Sequence, residues 1–178
     1  YDRLFTALDW LVDERWGSGT GLGLLVAMTL DGVPENLALG VGLIDTLWAL
    51  GQRLAWEGLP TPLATLRQTL RYHDLTEVRE ALAEVRARIE EDGLPEEVTP
   101  LIVGVAGYGN VSRGAQEILD LLPVIEIEPE EVPALAAGGS ASRHHIYKTV
   151  FKEWHMVEPK EPGATFELQD YYQHPEKY

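Results

Sequence analysis

Two stretches of the chain repeat their apolar positions at helical spacing. Leu47, Leu50 and Leu54, with Trp48 and Trp56, recur three or four residues apart behind Asp45. That spacing predicts a helix with Asp45 as its N-cap. Gly58, Pro60 and Pro62 supply its stop. Leu75, Val78, Leu82, Val85 and Ile89 repeat in the same way behind Asp74 and Glu77, a D-x-x-E capping box. Arg79, Glu80, Glu84, Arg86, Arg88 and Glu90 fill the opposite face, which is expected to be solvated, and Gly93 with Pro95 ends this second helix.

From residue 101 the period changes. Leu101–Ala106 is an unbroken apolar run of the kind a buried parallel strand presents. Glycines follow, and then a helical pattern through Ala115, Ile118, Leu119 and Leu122. Pro123-Val-Ile-Glu126-Ile-Glu128 alternates as a second strand should. Strand, turn, helix and strand in that order predict an α/β fold with a partial Rossmann-like sheet preceded by helices. The expected organisation is a Gly-rich apolar segment at 1–43, a helical inter-domain region at 44–100, and an incomplete dinucleotide-binding domain at 101–178.

The first segment allows two readings. Trp16–Leu30 carries no charge but falls short of the roughly 20 residues that cross a bilayer. Gly21–Ile44 is long enough, at the cost of Asp31, Pro34 and Glu35 at mid-depth. A buried helix pair or loop is the expectation, and no membrane partner.

Charge narrows the partners. Asp and Glu number 29 against 14 Lys and Arg, for a formal net charge of −15. Nucleic-acid binding needs a basic footprint, and the chain has none. Carboxylates in such excess fit an anionic surface that keeps the chain soluble. With no cysteine there is no disulfide framework and no thiolate metal site, which fits a reducing compartment. The chain opens without a signal-peptide pattern, so a cytoplasmic location is expected.

The candidate chemistry lies after the first strand. Gly107-x-Gly109 lets the backbone turn tightly and approach a pyrophosphate, and the N–H groups at the following helix start can hold its charge. The third glycine, Gly114, comes five residues after Gly109 where the dinucleotide fingerprint has three, so an ordinary strand-to-helix turn is the competing reading. Glu126 and Glu128 stand where an acid would hold a ribose hydroxyl and favour NAD over NADP; the competing reading is two exposed glutamates. His144 and His145 are adjacent and lack acidic partners at helical spacing, so no metal site is assigned. Lys148 and Lys152, four apart near Tyr147, could contact a phosphate or close a lid; a solvated pair is the competing reading.

On Ile44-Asp-Thr-Leu-Trp-Ala-Leu-Gly-Gln-Arg-Leu, Thr61-Pro, Gly107-Tyr-Gly-Asn-Val-Ser-Arg-Gly-Ala-Gln-Glu-Ile, Leu121-Leu-Pro, Met156-Val-Glu-Pro and the tail from Phe166, residues 44–178 resemble the lysine-ketoglutarate reductase part of the saccharopine-pathway enzymes. The resemblance implies an alanine-dehydrogenase-like fold of two α/β domains and reductive condensation of lysine with 2-oxoglutarate, to saccharopine, by a nicotinamide hydride from NAD or NADP. It implies that Gly107, Gly109, Asn110, Val111, Ser112 and Gly114 cradle the cofactor pyrophosphate. It also implies a lysine and a histidine as acid–base groups in the first domain, and nothing in Tyr1–Leu43 matches them. Thr29–Gly40, with Asp31 and with Glu35 after Pro34, instead partly resembles one metal-binding helix of ZIP-type zinc transporters. Three functions follow as expectations: a fragment of the oxidoreductase, a dinucleotide-binding module without turnover, or a metal-transport segment in 1–43. Open sheet edges would favour a homo-oligomer.

Overall fold

The computed structural model describes residues 36–138 and 140–178. The ZIP-like residues 29–35, with Asp31 and Glu35, lie outside these, and the remainder of that segment opens the first helix. Helix α1 spans Asn36–Trp56. It buries Leu43, Ile44, Leu47, Leu50 and Leu54, the expected stripe extended toward its N-terminus. Gly58, at φ +84°, ends it: Leu59 N–H donates to Leu54 O (2.8 Å) and Gly58 N–H to Ala55 O (3.1 Å). This is a Schellman closure, for which a left-handed glycine is suited.

Asp45 does not cap this helix. The run 36–44 carries no charge and continues the helix upstream, so Asp45 lies in its interior. Its Oδ1 accepts from Thr69 N–H (2.7 Å) and Thr69 Oγ1 (3.1 Å), tying α1 to the turn at Thr69–Arg71. Trp56 is 78% exposed rather than packed, with the Arg53 guanidinium 4.9 Å over its ring.

Helix α2, Leu75–Asp92, is capped by Asp74, which accepts from Thr76 N–H (2.8 Å) and Glu77 N–H (3.0 Å). Glu77 does not return to Asp74. Its carboxylate accepts from His73 N–H (2.7 Å) and pairs with Arg67, which holds the carboxyl below its ordinary range. Val78, Leu82, Val85 and Ile89 are buried as predicted, whereas Leu75 is 43% exposed.

Strand β1 is Leu101–Ala106, helix α3 Asn110–Leu119, strand β2 Val124–Glu126 and strand β3 Ile146–Phe151. All three strands are parallel, in the order β1-β3-β2. The α/β class is therefore as expected, but the order differs from a Rossmann sheet, in which the first and second strands are neighbours. Here β3 pairs Leu101–Ala106 residue for residue on one side and Val124–Glu126 on the other. The alternation places Leu101, Val103 and Ile146 on one face, where they join Leu119, Leu122 and the buried residues of α1 and α2 in one apolar cluster. Ile102, Tyr147 and Thr149 belong to the opposite face and are also buried. β2 is shorter than its sequence pattern, because Pro129 opens a 3-10 turn (Pro129–Glu131) soon after it.

Three short helices complete the chain: α4 (Val132–Ala136), α5 (Glu153–Met156) and α6 (Leu168–Gln173). The tail closes on itself through Phe166, Tyr171 and Tyr178, whose ring centroids are 5.3–5.8 Å apart.

Candidate nucleotide site

Parallel strands end together, so the loops after β1, β2 and β3 share the carboxyl edge of the sheet, where ligands bind in open α/β folds. Gly107 leaves β1 at φ +90°, a conformation that favours glycine. Its N–H donates to Phe151 O (2.8 Å), so the pairing of β1 with β3 continues into the turn. Gly109, at φ −71°, is the N-cap of α3 and offers no side chain to the first-turn N–H groups. Arg113 N–H makes a helical bond to Gly109 O (3.0 Å). The N–H groups of Asn110, Val111 and Ser112 precede it and have no intrahelical acceptor.

Space lies in front of this turn. A Cβ built at Gly107 or Gly109 would meet no heavy atom within 4 Å. An open glycine turn, exposed at Gly109 and Asn110 and leading into uncapped helix N–H groups, fits a pyrophosphate. The flanking side chains are occupied elsewhere. Asn110 Oδ1 accepts from the Arg113 guanidinium, and buried Ser112 Oγ accepts from Gln116 Nε2 (2.9 Å). Gly114 is half-buried on α3, which packs along α1.

Glu126 and Glu128 are set apart from this turn. Glu126 is in register with Lys148 and Val103, four residues before Gly107 and across β3 from β1. That places it about 13 Å down the strands and about 10 Å across from the turn. Glu128 caps the Pro129–Glu131 turn, its N–H donating to Glu131 Oε2 (2.8 Å).

Lys148 contradicts the expectation of a solvated or phosphate-facing cation. It is 4% exposed, with Nζ 2.8 Å from Asp120 Oδ1 and 3.0 Å from Glu126 Oε2. Burial pulls its pKa down, but the hydrogen bonds it donates to the two carboxylates outweigh burial and the net shift is upward. Lys152 lies with Nζ 5.2 Å over the Trp154 ring. His144 Nδ1 is 3.2 Å from Ile89 O and 3.1 Å from Glu90 O, and His145 Nδ1 is 3.1 Å from Ser142 Oγ. Neither histidine is at the glycine turn.

A group the sequence pattern did not single out closes the edge beside the turn. Glu153, two residues after Phe151, accepts from the Tyr172 hydroxyl at 2.6 Å. That hydrogen bond, aided by partial burial and by Tyr108, pushes the Tyr172 phenol up to about 12. Tyr108 and Tyr172 are both exposed, at 46% and 58%. No periodicity marks Glu153; only the strand register brings it beside β1.

A separate open hollow of about 320 Å³ is lined by Arg86, Glu90, Asp120, Leu122, Val124 and His145 among others. It lies where β2 and β3 begin, at the edge of the sheet away from the glycine turn.

No family profile matches the chain. Among curated proteins, it is 38% identical over 146 residues to the alpha-aminoadipic semialdehyde synthase of Arabidopsis thaliana, across 77% of this chain and 14% of the plant protein. The chain is a homologue of the alpha-aminoadipic semialdehyde synthases. The mitochondrial synthases of Rattus norvegicus and Mus musculus are each 30% identical over 137 residues, with the same coverage of both chains. The chain thus spans about 14% of the length of these synthases. Among the described residues no helix is long and apolar enough to cross a membrane.

Proposed function

We propose that this chain is the dinucleotide-holding part of a nicotinamide-dependent oxidoreductase of lysine degradation, serving the reductive condensation of lysine with 2-oxoglutarate to saccharopine. One observation carries the reading: an open glycine turn enters a helix start that has no side-chain cap, at the carboxyl edge of a parallel sheet. Homology to the alpha-aminoadipic semialdehyde synthases supports the pathway.

On this reading Gly107 and Gly109 keep the approach clear, and the N–H groups of Asn110, Val111 and Ser112 hold the pyrophosphate. Gly114 keeps α3 close to its neighbours. A bound nicotinamide dinucleotide, NAD or NADP in its reduced form, would supply the hydride. Small-molecule substrates would meet it at the carboxyl edge, and their acid–base groups would come from outside this segment.

A second reading, binding without turnover by this chain alone, is favoured by the engagement of Lys148, His144 and His145. Lys148 is committed to two carboxylates, and His144 and His145 to acceptors distant from the turn. Fluorescence titration with NADH and NADPH tests the shared premise. Saturable binding that is lost in Gly109→Asp is expected, since the new carboxylate enters the space reserved for phosphate. Equal binding by the variant would refute the site.

A further inference from the structure

We infer that residues 157–178 form a strap latched at the carboxyl end of β3 by one hydrogen bond, Tyr172 to Glu153, and that it opens as a unit to admit a dinucleotide; this rests on the nucleotide reading above. The strap is closed on itself. Lys160 N–H donates to Lys177 O (2.8 Å), Lys177 Nζ meets Asp170 Oδ1 (2.6 Å), and Glu167 N–H donates to the Tyr178 hydroxyl (3.2 Å). The rings of Phe166, Tyr171 and Tyr178 pack within it. None of its residues is buried, so little apolar burial holds it against the sheet.

Its attachment is narrow. The Tyr172 hydroxyl donates to Glu153 Oε1 at 2.6 Å, and Val157 N–H donates to Glu153 O at 3.0 Å where the strap leaves α5. Among the described residues no ion pair or ring contact joins the strap to the sheet or to helices α1–α3. Tyr108, between the two turn glycines, helps to raise the Tyr172 phenol, so the latch borders the glycine turn.

The latched position also carries a cost. Glu153 Oε2 is buried without a hydrogen-bond partner. A carboxylate oxygen so placed has given up water for nothing, and opening returns it. One hydrogen bond set against one orphaned oxygen, with little burial besides, makes a two-state element. The latched strap leaves the space before Gly107 and Gly109 clear. A dinucleotide, however, extends from such a turn across the ends of neighbouring strands, and the neighbour here is β3. The strap stands in its way.

The test uses the absence of cysteine: Glu117→Cys on α3 and Thr165→Cys in the strap, both at exposed positions, take spin labels at those sites alone. Pulsed dipolar spectroscopy then reads the distance from α3 to the strap, and the far-ultraviolet spectrum shows that each variant is folded. A dominant short distance with a minor longer one is expected without further change. Tyr172→Phe keeps the ring and loses the donor. Loss of one hydrogen bond to a charged group should raise the ratio of open to closed about tenfold or more. An unchanged distance in Tyr172→Phe overturns the latch. A broad distribution before any latch substitution overturns the closed strap. Stopped-flow association of NADH and of NADPH follows on the same chains. Whichever cofactor binds should associate severalfold faster with Tyr172→Phe. An equal rate in a variant whose strap has opened overturns the gate and leaves the nucleotide site standing. Binding of neither cofactor, in the presence or absence of the latch, overturns the nucleotide reading and the gate with it.

Discussion

Replacing Gly51 by alanine should destabilise the chain, although alanine is the better helix former. Gly51 lies inside α1, where alanine in place of glycine ordinarily gains about 1 kcal/mol. Here the added Cβ would stand 2.4 Å from Ala64 N and from Leu63 C, and 2.6 Å from Leu63 O. Carbon contacts settle near 3.5–4.0 Å, so the overlap is about 1 Å. The obstacle is backbone, which cannot rotate away. Relief requires α1 to move off the Pro62–Thr65 turn, loosening Leu47, Leu54 and Leu63, none of which is more than 1% exposed. Overpacking of a filled interior costs about 1–3 kcal/mol, and a backbone clash belongs at the upper end. Subtracting the helical gain leaves a net loss of about 2 kcal/mol, or a fall in Tm of about 4–8 °C for a chain of this size. Urea denaturation followed by tryptophan fluorescence reads it directly, with Gly109→Ala as control. Gly109 has an ordinary φ and open space, so its alanine variant should cost no more than the loss of a glycine N-cap, about 1 kcal/mol or less. A Gly51→Ala chain as stable as wild type would refute the close approach of α1 to the turn.

Two further outcomes follow from polar contacts. Lys148→Ala removes a buried stem and leaves Asp120 and Glu126 without their cation; at pH 8 it should cost about 2–4 kcal/mol in chemical denaturation. Because the folded pKa of Lys148 is raised above 10.5, the stability it contributes is complete below that pH and is lost as pH rises through the folded value, so the cost of the substitution should shrink above pH 10.5. A cost that grows with alkalinity would contradict the ion triad. Asp74→Ala deletes the side chain that accepts from Thr76 and Glu77 and should cost about 1 kcal/mol, whereas Asp74→Asn should recover most of it.

Local features of this fold were legible in the chain and nonlocal ones were not. The stripe Val78, Leu82, Val85 and Ile89 is buried because period alone decides which face of a helix is apolar. The glycine turn and the start of α3 follow likewise from residues adjacent in sequence. Asp45 looks like a cap in the sequence because its partner, Thr69, is 24 residues away, and a tertiary acceptor resembles a cap when only neighbours are visible. Lys148 looks solvated in the sequence for the same reason: Asp120 and Glu126, which make its burial tolerable, meet it only when three segments assemble. The largest difference is strand order. Spacing after the glycine turn points to Glu126 and Glu128 only if the second strand lies beside the first. With β3 between them, neither acid stands beside the turn.

The central claim is that a dinucleotide sits on the Gly107–Gly114 turn, and amide chemical-shift mapping of the labelled chain with NADH tests it most directly. The largest shifts are predicted at Gly109, Asn110, Val111 and Ser112. Shifts gathered instead around Arg86, Asp120 and His145, at the opposite hollow, or the absence of any shift at the turn at saturating cofactor, would contradict the account.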